Sequence, residues 1–164
     1  MAMAHSVSEI DVALPHAALP AGDWADAYRV TIATPFQTAR SAGEAAFSTF
    51  PFWVNALMAL RNLIVTPFGL KTGAAEKPVT ARIGFFPVIS EADEQVVVGM
   101  NDRHLDFRCV IDITDRDAGP QGVTIATIIK RHNWLGRTYL ATIMPFHRLI
   151  VRTALARLAR ANEN

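Results

Sequence analysis

The chain is predicted to fold as one α+β domain in which a curved antiparallel β-sheet grips a long C-terminal helix. Three observations predict it. Four stretches of alternating apolar residues follow one another closely between Thr80 and His132, separated by turn-forming residues. Strands joined so tightly form an antiparallel meander. The last stretch, about Arg137 to Arg160, carries apolar residues at three- and four-residue steps, which is the period of an amphipathic helix. Finally, 51% of the 164 residues are hydrophobic and only 19% are charged. That length suits a single domain, and the composition excludes disorder while leaving apolar material to line a cavity as well as fill a core.

The elements follow in the order β-α-α-β-β-β-β-α. Residues 1–22 hold Pro15, Pro20 and Gly22 without a sustained period and are expected to form an extended lead-in to a domain over residues 23–164. A first strand is expected from Trp24 to Ala33, where Tyr28, Val30 and Ile32 alternate with smaller or polar residues. Ser41 with Glu44 three residues later has the spacing of a capping box, so a short helix is placed from Ser41 to about Thr49. After Pro51, the residues Trp53, Leu57, Leu60 and Ile64 share one face of a second helix over Phe52 to Thr66. Pro67 and Gly69 stop it.

Strands are then expected at about Thr80 to Ile89, Gln95 to Met100, His104 to Thr114 and Val123 to His132. The turns Glu91 to Glu94, Asn101 to Arg103 and Asp115 to Gly122 join them. Asn133 to Gly136 is expected to turn the chain into the last helix. There Leu140, Ile143, His147, Ile150, Ala154 and Leu158 form one stripe, and Pro145 predicts a kink near Thr142 or a break into two helices.

The formal net charge is only +1, so no global field directs the protein to nucleic acid. Arg148, Arg152, Arg157 and Arg160 concentrate positive charge on the last helix, as a solvated face or as a contact for an anionic membrane or partner. The single cysteine, Cys109, excludes an intrachain disulfide and any multi-cysteine zinc site. It lies within strand-like alternation and is expected to be a buried hydrophobe, which suits a cytoplasmic location. No signal peptide is discerned at the N-terminus. The apolar stretches Phe52 to Leu70 and Thr138 to Leu158 contain Arg61, Pro67, His147, Arg148 and Arg152, so core helices are expected and no integral membrane segment.

The phosphate loops, the Gly-x-Ser-x-Gly elbow, the His-Glu-x-x-His helix and the RNA-binding signatures are all missing from the sequence. The one dense polar constellation runs from Asn101 to Arg108. In a strand opening at His104, the residues His104, Asp106 and Arg108 share one face, and Leu105, Phe107, Cys109, Ile111 and Ile113 share the other. Two arrangements follow. The polar row lines the cavity floor, with Asp106 orienting His104 and Arg108 holding an anionic or carbonyl group. Alternatively the row faces solvent, as in any half-buried sheet. The cavity-facing row is taken as the candidate ligand site, together with His132, which a hairpin brings toward His104, and Arg61, which reaches for the cavity mouth. Arg61 also suits a snorkelling surface position. His104, His132 and Asp106 together have the chemistry of a zinc or iron site, but no metal or other cofactor is assigned. His147 is expected to be a satisfied core histidine.

Several spaced motifs carry a resemblance. They are Pro51-Phe52-Trp53, the run Leu57 to Asn62, Phe68-Gly69-Leu70, Gly84-Phe85-Phe86-Pro87, the run Asp102 to Arg108, His132-Asn133 with Gly136-Arg137, and Pro145-Phe146-His147-Arg148. Over about residues 24 to 155 the chain resembles the family called domain of unknown function 2867. The resemblance implies the helix-grip fold of the START and birch-pollen-allergen-like superfamily, in which a curved sheet wraps a long C-terminal helix around an apolar cavity. Five strands are counted here, against six or seven in that superfamily. Some members of the family are fused to a dehydrogenase-like domain, so the resemblance implies that any redox role would need a separate dehydrogenase-like partner.

Three functions are therefore expected in competition. The first is binding of a hydrophobic small molecule, a lipid, steroid or polyketide-like compound, since concave apolar sites with few polar groups hold such ligands. The second is an enzyme of cyclase, dehydratase or isomerase type on the same ligand class, with His104 as acid or base. The third is an interaction module, as a homo-oligomer or docked to a dehydrogenase-like protein.

Overall fold

The computed structural model describes residues 6–48, 52, 55–56, 59, 62–63, 66–68, 81–114, 117 and 120–163. Its strands are β1 (Ser8–Ile10), β2 (Trp24–Ile32), β3 (Arg82–Ile83), β4 (Phe86–Glu91), β5 (Gln95–Asn101), β6 (Leu105–Ile113) and β7 (Gln121–Arg131). They form one curved antiparallel sheet of seven strands in the order β1-β2-β7-β6-β5-β4-β3. Two helices complete the labelled elements, α1 (Ala39–Phe47) and α2 (Trp134–Ala161). The α+β class, the antiparallel meander and the long C-terminal helix are as the sequence predicts, and the arrangement is consistent with a helix grip.

Two strands come on top of the expected five. The lead-in contributes β1, which pairs with β2 through Ser8↔Arg29 and Ile10↔Ala27. The stretch expected as one strand from Thr80 is split, because Gly84 turns at φ 58° and folds β3 back on β4. Glycine tolerates that left-handed backbone where a side chain would be strained. The lead-in also does what its lack of periodicity concealed. Leu19, with Val12 and Ala18, packs on Ala27, Val97, Val110, Ala126 and Ile128, which covers part of the sheet face turned away from the helices. Both faces of the central strands are thus buried, and Val96, Val97 and Val98 are all inaccessible in succession.

The opposite face carries the main core. Tyr28, Val30 and Ile32 of β2, Val96 and Val98 of β5, Cys109, Ile111 and Ile113 of β6, and Val123 and Ile125 of β7 meet Ala42 and Phe47 of α1 and Val151, Leu155 and Leu158 of α2. Burying each of the larger side chains contributes about 1.5–3 kcal/mol. Helix α2 lies mainly on β2 and β7, whereas α1 sits on β5, β6 and β3.

Local chemistry moves several expected boundaries. Thr38, not Ser41, caps α1: its hydroxyl accepts from Ser41 N at 3.1 Å, and the Ser41 hydroxyl accepts from Thr38 N. Glu44 instead pairs with Arg40 at 2.9 Å. Helix α2 begins at Trp134, three residues before its expected start, because Asn133 acts as its cap and accepts from Gly136 N at 3.0 Å. The expected turn at Asn133 to Gly136 is therefore the first turn of the helix. The break into two helices at Pro145 does not occur, and α2 is one helix through that residue. Proline there leaves the carbonyl of Ala141 without its usual donor.

The helix expected over Phe52 to Thr66, with its stripe Trp53, Leu57, Leu60 and Ile64, falls largely outside the described residues. Those that are described from Phe52 to Leu63 are helical, and Thr66–Phe68 forms a short 3-10 turn. Among the described residues no helix is long and apolar enough to cross a membrane.

Candidate functional site

A polar strip crosses the largely apolar helix-side surface of the sheet. Register places Asp26 of β2 beside Thr127 of β7, and Thr127 beside Cys109 of β6. Side chains alternate along a strand, so Asp26 shares its face with Tyr28 and both point toward α2. His147 descends from the helix onto this strip. Its Nε2 lies 3.1 Å from Asp26 Oδ1, and its ring meets Trp24 edge-on at 6.2 Å.

Burial makes this cluster unusual. Asp26 is 8% exposed and Tyr28 only 1%, and buried polar atoms are normally hydrogen-bonded. Asp26 Oδ2 and Tyr28 Oη are both buried without a hydrogen-bond partner among the described residues. Burial raises the Tyr28 hydroxyl above its ordinary pKa, and the negative charges of Asp26 and Glu9 raise it further. Arg148 and Arg152 oppose this, the latter with its guanidinium 6.0 Å from the ring centre. Burial, assisted by the charge of Asp26, pushes the Cys109 thiol up to about 12. A thiol so placed is protonated and inert at neutral pH, as its position in the alternation predicts.

Beyond the strip the surface is apolar and incompletely covered. Phe86 and Val88 of β4, Met100 of β5 and Phe107 of β6 face the helix side but are only partly buried. Phe86 and Phe107 meet edge-on at 4.9 Å. Ile143 and Met144 of α2, also partly buried, pack on the same cluster as Phe107.

The residues chosen from the sequence are placed differently. Asp106 and Arg108 do share a face, but it is the face of Val110, which packs against the lead-in cluster. The expectation that they line the space under the helix is therefore corrected: Leu105, Phe107 and Cys109 hold the helix side, and the strand period puts the polar residues opposite. His104 lies outside the row, since β6 begins at Leu105.

The partners differ as well. His104 is 1% exposed and packs edge-on against Tyr139 of α2 at 5.0 Å. The acid beside it is Asp102, with Oδ2 3.6 Å from His104 Nδ1. Asp106 instead meets His132, whose Nε2 lies 3.0 Å from its Oδ1. His132 does approach His104, through a backbone bond from its N–H to the His104 carbonyl at 3.0 Å. Arg108 donates through Nη1 to Asn101 Oδ1 and to the Phe107 carbonyl, each at 2.8 Å. Burial lowers its pKa, opposed by the charge of Asp106. Arg61 lies outside the described residues. Among those residues no group of three or more His, Cys, Asp or Glu side chains is placed to hold a metal ion.

The sequence pattern alone gives no special place to Asp26 and Tyr28 and reads His147 as a satisfied core histidine, which in the structure has Asp26 as its partner. The available signal was a carboxylate at an inward position of β2, between the apolar Trp24 and the tyrosine. An acid on the buried face of a strand needs a partner, and a histidine on the inward stripe of the last helix is a suitable one.

An antiparallel sheet with a long C-terminal helix packed on it, and a buried acid–histidine pair at their contact, defines a small α+β protein. Its sequence matches the family described as protein of unknown function (DUF2867) over residues 18–154, and the chain belongs to that family. No curated protein and no solved structure matches it.

Proposed function

We propose that the protein binds a hydrophobic small molecule, a lipid, steroid or polyketide-like compound, between the sheet and α2. On this reading it is a helix-grip protein of the START and birch-pollen-allergen-like type, acting in the cytoplasm. One observation carries the proposal. Helix α2 lies over β2 and β7, while the helix-side residues Phe86, Val88, Met100 and Phe107 of β4–β6 stay only partly buried. Aromatic and flexible thioether side chains in a half-covered concave wall are suited to apolar ligands of irregular shape. A cyclase or isomerase working through His104 has less support, because that ring is enclosed between Asp102 and Tyr139.

Native mass spectrometry of freshly purified protein, followed by titration with the neutral probe N-phenylnaphthylamine, tests the proposal. A co-purified small molecule, or saturable one-to-one binding of the probe to the folded protein, is the expected result. Binding that never saturates, or that appears only as the protein unfolds, would sink it.

A further inference from the structure

The proposed site between sheet and α2 is the basis for a more specific assignment. We propose that its ligand carries a neutral hydroxyl group, an alcohol or a phenol, whose O–H donates to Asp26 Oδ2. Asp26 is 8% exposed, and one of its oxygens is occupied by His147 at 3.1 Å. The other is buried with no hydrogen-bond partner among the described residues. An ionised carboxylate only accepts hydrogen bonds, so the group that completes it is a donor. Tyr28 Oη, two residues along the same face, is buried in the same state and offers a second polar point to the same end of the ligand.

Charge narrows the donor to a neutral one. A carboxylate ligand would face the charge of Asp26, which is felt as far as Tyr28 and Cys109. An ammonium would have to shed its hydration in a buried, largely apolar site, at a cost well above that of a hydroxyl. A hydroxyl suffers from neither.

The layout fits an amphiphile of modest length. The polar strip starts at β2, and Phe107 lies on β6, two strand spacings away in the order β2-β7-β6. At about 4.8 Å per spacing that is about 10 Å, the scale of two or three fused rings. The hydroxyl then sits beneath His147, and the skeleton extends toward Phe107, Met100 and Phe86.

Calorimetric titration with naphthalene, naphthol, naphthoate and naphthylmethylammonium tests the assignment on the full chain. Naphthol is expected to bind at least about tenfold more tightly than naphthalene, as a hydrogen bond to a buried charge warrants, and more tightly than either ion. Asp26→Leu should abolish that preference, bringing naphthol and naphthalene to the same affinity. Asp26→Asn, which keeps an accepting oxygen without the charge, should retain part of the preference and narrow the gap between naphthol and naphthoate. This second variant and the wild-type ranking decide the matter if Asp26→Leu does not fold. Equal binding of all four, or a preference for either ion, overturns the hydroxyl assignment while an apolar site stands. Failure of all four and of N-phenylnaphthylamine to bind overturns the site itself and the assignment with it.

Discussion

His147 and Asp26 stand 121 residues apart in the chain and 3.1 Å apart in the fold. Their contact joins α2 to β2 across the sheet–helix interface.

Breaking that contact should therefore be expensive from the acid's side. His147→Leu leaves a carboxylate buried without its partner and is expected to cost about 1.5–3 kcal/mol, the range for a hydrogen bond to a charged group. Asp26→Leu should cost less, since His147 retains some access to water. In a double-mutant cycle followed by urea unfolding, a coupling below about 0.5 kcal/mol would show that the two side chains do not interact in solution.

Cys109 sets a pH dependence. Its folded pKa is raised from 9.0 to about 12 by burial first and by Asp26 second. Above pH 9 the unfolded chain therefore binds fewer protons than the folded one, so stability falls as pH rises. The stability this thiol contributes is whole below pH 9 and is lost between 9 and about 12, at up to about 1.4 kcal/mol per pH unit. Tyr28, also raised, adds a loss of the same sign further up the alkaline range. Unfolding curves of Cys109→Val, a substitution of similar volume, should show a shallower alkaline loss. An unchanged slope would assign it elsewhere.

The last helix divides its apolar residues unequally. Leu155 is fully buried whereas Ile150 is only partly so, although the expected stripe included Ile150 and not Leu155. Leu155→Ala should cost about 3–5 kcal/mol and Ile150→Ala nearer 1. Comparable costs, read from denaturation midpoints, would mean that the rotation of the helix is wrong.

Gly136 pins the start of α2. A Cβ built there would lie 2.0 Å from the carbonyl oxygen of His104. Alanine is favoured over glycine within a helix by about 1 kcal/mol, yet Gly136→Ala is expected to destabilise by about 1–3 kcal/mol through overpacking. A stabilised variant in thermal melts would show that the helix does not press on the His104 turn.

Arg108→Met separates the two faces of β6. Because Asp106 already has His132 at 3.0 Å and Arg108 lies away from the helix, the change should cost at most about 1 kcal/mol. Affinity for N-phenylnaphthylamine should not move. A loss of several kcal/mol, or of binding, would place Arg108 under the helix after all.

Local chemistry carries a good deal of this fold in the sequence. Alternation at Tyr28, Val30 and Ile32, the turns before Gln95 and Leu105, and the helical step from Leu140 to Leu158 each depend on neighbours within a few residues, so the meander and the final helix are legible. So is the burial of Cys109, since it continues an alternation already set by Phe107 and Ile111. Where two caps compete locally, as Thr38 and Ser41 do, the sequence names the motif but not its register. Which side of the sheet the helix covers is not a local property. Alternation shows that Asp106 and Arg108 oppose Phe107 and Cys109, and only the packing of Val151 and Leu155 on Tyr28 and Ile111, with the lead-in on Val110, decides which face is inside. The pairing of Asp26 with His147 likewise needs β2 beside β7 and the helix laid across both. Contacts between residues so distant arise only when the chain closes, because the burial that holds them belongs to the assembled sheet and helix and to no segment alone.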